Sequence, residues 1–140
     1  MKIFQCKEIS EDVLRTFETL IPQLCPDCKI PSKKHLTQII QSDNSFLFLA
    51  ENEGIIGSLT LIIIQIPTCT KAWIEDVVVD EKMRGKGIGK KLIEFGIEFA
   101  KNKGISKIDL TSRPERKAAN ELYGKLGFKR RETNVYRLEI

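Results

Sequence analysis

A single histidine and the want of any long hydrophobic run set the first limits on this chain. Cys69 has no histidine near it in the sequence, which argues against a base-activated cysteine nucleophile. Cys25-Pro26-Asp27-Cys28 is a lone C-x-x-C. A redox pair or half a zinc site would be written this way. No second pair exists and His35 is the only imidazole, so a zinc ribbon or a thioredoxin-like site has nothing else to stand on. A plain loop between two helices is the better reading, and no metal is implied. Ile55–Ile66 is strongly apolar, but it is too short to span a bilayer and holds Gly57, Ser58, Thr60 and Gln65. The opening MKIFQCKEISED lacks the apolar run of an export signal. The expectation is a cytoplasmic protein with no membrane partner and four reduced thiols. No internal repeat, low-complexity segment or linker composition appears.

What is present suits one domain over 1–140: 41% hydrophobic residues, 30% charged residues and a net charge of +4. Twelve of the 23 basic residues fall in Lys82–Lys91 and Arg113–Arg131. Such clustering fits a nucleic-acid or membrane-surface patch, or a pocket for one phosphate-rich cofactor. Neither stretch interleaves aromatics for base stacking, so nucleic acid is the weaker reading.

The chain is organised around Trp73–Lys103. A β-branched run bearing two acids, Trp73–Val79, leads into Arg84-Gly85-Lys86-Gly87-Ile88-Gly89 and then an amphipathic helix. Strand, glycine-rich turn and helix N-terminus together present unpaired amides and a partial positive charge. Arg84, Lys86, Lys90 and Lys91 crowd the helix end where cations destabilise unless an anion answers them. Spacing narrows the anion. A nucleotide-triphosphate loop needs four residues between its glycines and then Lys with a hydroxyl residue, but Lys90 is followed by Lys91. The dinucleotide fingerprint needs glycines at relative positions one, three and six, and the sixth position is Lys90 or Leu92. What remains, Arg84-x-x-Gly87-x-Gly89, resembles the acyl-CoA-binding motif of the GNAT superfamily of N-acyltransferases.

Element order extends the resemblance. Lys2–Ile9 reads as a strand. Ser10 opens a helix limited by Pro22 and Pro26, and Ser32–Gln41 forms a second helix. Phe46–Glu51 and Ile55–Ile66 make a hairpin around Asn52-Glu53-Gly54, and Pro67–Lys71 turns into Trp73–Val79. After the glycine turn, Gly104 stops the helix, and Ile105–Thr111 is a strand parallel to Trp73–Val79. A helix over Arg116–Leu126 closes at Gly127. Phe128–Arg131 and Thr133–Leu138 read as a last strand pair. Within this tail, Asn120, Tyr123 and Gly127-Phe128 look like the second signature of the same superfamily. The resemblance implies an α/β (α+β) fold: a mixed, mostly antiparallel sheet of six to seven strands, about four helices, and a splayed parallel pair at the cofactor site.

It also implies a chemistry, acetyl transfer from acetyl-CoA to a primary amine of a small molecule or protein by direct attack in a ternary complex. The alternative is a non-catalytic acyl-CoA-binding regulatory module. By resemblance, the backbone at Val77, Val78 and Val79 pairs the pantetheine arm. The turn Gly85, Lys86, Gly87, Ile88, Gly89 and Lys90, with Arg84, holds pyrophosphate, and Asn120 reaches the cofactor. Tyr123 contacts the cofactor too and protonates the departing thiolate; its other reading is a core aromatic. An alkylamine, with a pKa of about 10, must lose a proton before it can attack. Glu75 is the candidate base, and Ile74-Glu75-Asp76 resembles the corresponding strand of glucosamine-phosphate acetyltransferases. The bland reading is a structural acid paired with an arginine of the tail. A regular strand would point Glu75 and Asp76 to opposite faces. The tail, Lys129–Ile140, is also where such proteins form a homodimer.

Overall fold

The computed structural model describes residues 1–140. In chain order the elements are β1 (Lys2–Gln5), α1 (Glu11–Leu24), α2 (Lys33–Gln41), β2 (Ser45–Glu51), β3 (Ile55–Ile66) and β4 (Cys69–Val79). A one-turn 3-10 helix (Glu81–Met83) precedes α3 (Ile88–Asn102), β5 (Ile108–Leu110) and α4 (Lys117–Lys125). The five strands lie in one sheet in sequence order. All neighbours are antiparallel except β4 and β5, which the α3 crossover makes parallel.

The sheet is buried on both faces, which is why β2 reads as an unbroken apolar run, SFLFLAE. Phe46, Phe48 and Ala50 pack with Leu92, Ile93 and Ala100 of α3, whereas Leu47 and Leu49 pack with Val13 and Phe17 of α1 and Leu36 of α2. The aromatic pairs Phe46–Phe99 and Phe48–Phe95, at 4.7 and 5.1 Å between centroids, fix α3 over the strands. Gly57 lets that helix come close: a Cβ there would lie 3.1 Å from Leu92 Cδ1 and from the Val78 carbonyl.

Four expectations need correction. The sheet has five strands rather than six to seven, because Lys129–Ile140 forms no strand. Three consecutive cations at 129–131 break the apolar alternation there, and Val135–Ile140 lies exposed with no ladder partner. β1 ends at Gln5 because Cys6 and Ile9 turn into the core beside α1. α1 runs two residues past Pro22, whose ring falls in the last turn, and closes with Cys25 N–H donating to the Ile21 carbonyl (2.8 Å) just before Pro26. Finally, Cys25 and Cys28 are not thiols but a disulfide. The Pro26-Asp27 turn holds their Cα atoms 5.3 Å apart, within bonding range, which an argument from compartment cannot see.

Candidate active site

β4 carries the site because it does not stay regular. Between the pairs Thr60↔Glu75 and Ser58↔Val78, Asp76 and Val77 oppose the single residue Leu59. This is a β-bulge, with Asp76 in left-handed backbone at φ 49°. Such a conformation costs an ordinary residue about 1–2 kcal/mol, and aspartate bears it better than most. The strand turns away from β5 here. Parallel pairing stops at Ile74↔Leu110, which leaves the β4 backbone from Glu75 to Val79 without a strand partner on that side. The expected opposition of Glu75 and Asp76 fails for the same reason, and both line one cleft.

The cleft measures about 1090 Å³. One wall is the end of α1 and the α1–α2 connection, Leu24–Ser32. β4 supplies Ile74–Val78, the end of β5 and its loop supply Leu110–Pro114, and α4 contributes Tyr123. Tyr123 is half-buried, edge-on to Phe128 at 5.9 Å between centroids. Burial pushes its phenol above the usual tyrosine value, with the Arg116 guanidinium opposing. The hydroxyl therefore keeps its proton through neutral pH. The Glu75 carboxylate accepts from Trp73 Nε1 at 2.7 Å, two residues away on the same side of the strand. The tail arginine expected as a structural partner for an acid goes elsewhere: Arg131 approaches Asp109 at 3.9 Å, and Lys71 pairs with Asp109 at 3.0 Å.

At the other end of the free β4 edge stands the glycine turn. Gly85 and Gly87 have φ of 77° and 76°, and Gly87 caps α3 without any side-chain acceptor. The first satisfied helical amide is Lys91 N–H, to the Gly87 carbonyl at 3.1 Å, so the amides of Ile88, Gly89 and Lys90 are unanswered. Arg84 Nε donates to the Val79 carbonyl at 3.1 Å and closes the turn onto the strand. Lys86 Nζ lies 3.6 Å from Met83 Sδ, and Lys90 faces Glu94 at 3.8 Å.

The structure thus brings Glu75, Val77, Val78 and Tyr123 to one cleft and leaves Val79, the turn 84–90 and Asn120 outside its lining. The Asn120 side chain makes one bond within the chain. Its Nδ2 donates to the Arg113 carbonyl at 3.0 Å and holds the loop after β5. Sequence reasoning missed Ser112, whose buried Oγ has no partner at the cleft, and Arg116. Arg116 Nη2 reaches the Leu24 carbonyl at 3.2 Å. Its spacing of two helical turns before Tyr123 is the signal that would have found it.

Residues 7–128 match the Acetyltransferase (GNAT) family. The chain belongs to that family. Among its relatives, this GNAT chain is 30% identical over 106 residues to an uncharacterized N-acetyltransferase, YobR, of Bacillus subtilis (strain 168), spanning 76% of this chain and 41% of that one. It is 38% identical over 78 residues to glucosamine 6-phosphate N-acetyltransferase of Arabidopsis thaliana, spanning 53% and 52%. It therefore spans about half, or less, of these curated relatives. Among solved structures, an aminoglycoside acetyltransferase from an uncultured soil metagenomic sample, in complex with trehalose, superposes with a TM-score of 0.78 at 25% identity. That match covers 99% of this chain and 95% of the other. The splayed parallel pair and mostly antiparallel sheet of this GNAT domain agree with the fold expected from its two signatures.

Proposed function

We propose that this GNAT chain is an N-acetyltransferase that moves the acetyl group of acetyl-CoA to a primary amine by direct attack in a ternary complex. The observation that carries the reading is the free edge of β4, which has an amide-lined glycine turn at one end and the Glu75–Tyr123 cleft at the other. An extended amide-bearing arm would pair with the backbone at Val77–Val79. Its phosphates would meet the amides of Ile88, Gly89 and Lys90 with charge from Lys86 and Arg84. Acetyl-CoA supplies an activated acyl group on a thiol leaving group. Glu75, directly or through water, takes the proton of the acceptor ammonium, and Tyr123 gives its proton to the departing sulfur. The presence of both Tyr123 and Glu75 in one cleft favours this over a non-catalytic acyl-CoA-binding module.

The acceptor is best read as a small polar amine. The cleft's size, its acids Glu75 and Asp76 and its cations Arg113 and Arg116 support that, as do relatives that acetylate glucosamine 6-phosphate or carry aminoglycoside in their names. The reading extends to self-association through the exposed tail. No helix is long and apolar enough to cross a membrane. Thiol release from acetyl-CoA, assayed against amino sugars, amino acids, polyamines and peptide amines, tests the proposal. Release that no amine accelerates would overturn it, and release with peptides alone would move the acceptor class to proteins.

A further inference from the structure

Cys25 and Cys28 are joined within the wall of the cleft that carries Glu75 and Tyr123. Cys25 is half-buried at the C-cap of α1, and Cys28 is exposed. The connection they belong to is otherwise lightly held. Cys28 N–H donates to the Cys25 carbonyl at 3.2 Å; the next partnered amides are those of His35 and Leu36, which reach Ser32. Residues 29–31 make no hydrogen bond to the rest of the chain. At its α1 end the wall is tied across the cleft. α1 has no basic residue in its last turn, and Arg116, 92 residues later, brings a guanidinium to the Leu24 carbonyl. The covalent bond is thus the main constraint on the turn 26–28 from which residues 29–31 run on, and Cys28 is the member of the pair exposed to solution thiols.

We propose that Cys25–Cys28 is a reversible oxidation site that sets the shape of the acceptor wall, the dithiol form binding the amine more weakly. The proposal rests on reading this cleft as the acceptor site. The reductant is a pair of thiols or a dithiol. One thiolate attacks Cys28 Sγ, forming a mixed disulfide and releasing Cys25 as a thiolate that takes up a proton. The second thiolate attacks the reductant's sulfur in that mixed disulfide and frees the Cys28 thiolate, which is protonated in turn. The reductant leaves as its disulfide, and two electrons and two protons have passed to the protein. Cys6 does not compete for either sulfur: it is buried, with its thiol donating to the Glu8 carbonyl at 3.2 Å.

The experiment compares the oxidised protein with protein reduced by dithiothreitol, and with the Cys25→Ser/Cys28→Ser variant. Hydrogen exchange and peptide-resolved alkylation are followed beside steady-state kinetics. Reduction is expected to add alkylation at Cys25 and Cys28 and to speed exchange of the Cys28 amide, which donates to the Cys25 carbonyl, by about tenfold. It should raise KM for the amine by about three- to tenfold, with KM for acetyl-CoA within about twofold. The double variant should match the reduced protein and ignore dithiothreitol. Equal exchange in the two redox states, or equal amine KM, overturns the proposal, as does a double variant that still responds. Should no amine be acetylated in either state, the functional reading fails by itself. The alkylation and exchange results then still decide whether this bond is a reversible constraint on the wall.

Discussion

Tyr123 and Glu75 divide the proton traffic in the proposed reaction, and each can be tested alone. Tyr123→Phe keeps the ring against Phe128 and removes only the hydroxyl. Turnover should fall by about 10²–10⁴ with acetyl-CoA affinity little changed, measured where chemistry limits the rate. Full turnover in that variant would make Tyr123 a packing residue. Burial raises the phenol's pKa, so the protonated form persists above the ordinary tyrosine range. The alkaline limb of kcat should therefore lie above about pH 10 and vanish in Tyr123→Phe. Stability follows the same sign: the phenol's contribution is whole below the unfolded value and is lost as pH rises through the folded one. Glu75→Gln keeps an acceptor for the Trp73 indole but loses the base. Its rate should be lowest near neutral pH and recover in part in alkali, where the amine deprotonates unaided; a uniform loss at every pH would make Glu75 a positioning group.

At the scale of elements, the glycine turn and the β4 bulge were unequally legible. The turn could be read because its needs are local. Left-handed backbone at 85 and 87 selects glycine, and cations at a helix N-terminus signal an anion. Gly87→Val puts a β-branched residue at φ 76°, costing about 1–3 kcal/mol, and relief of that strain would re-aim the amides of 88–90. Isothermal titration should show loss of acetyl-CoA binding while far-UV circular dichroism is retained; unchanged affinity would remove the turn from the cofactor site. The bulge was not legible, since it depends on how Asp76 and Val77 face Leu59 across the sheet, and no pattern within β4 encodes that. Asn120 shows a related limit. Its place in a signature pointed to the cofactor, and nothing local to the helix told of the bond its Nδ2 also makes to the Arg113 carbonyl.

For the whole molecule, the order of strands and helices followed from periodicity and turn chemistry, and the tail did not. Val135, Tyr136, Leu138 and Ile140 alternate enough to suggest a strand, but pairing needs a neighbour, and here Tyr136 and Leu138 stay 87% and 85% exposed. Apolar groups left in this way favour association between copies. Light scattering should give a mass above 16.0 kDa that falls toward the monomer in Tyr136→Ser/Leu138→Ser; a monomer mass at every concentration would end that reading.

The hydrogen bond from Arg116 to Leu24 has a consequence for how the molecule is made. The opposite walls of the cleft come from stretches 92 residues apart, and the middle of the sheet between them, β2 to β4, is built from two consecutive hairpins. On the ribosome the antiparallel strands can pair as they emerge, but the cleft has no far side until α4 has been synthesised and docked. Affinity for an acceptor is then the last property the nascent chain acquires, well after most of its core is in place.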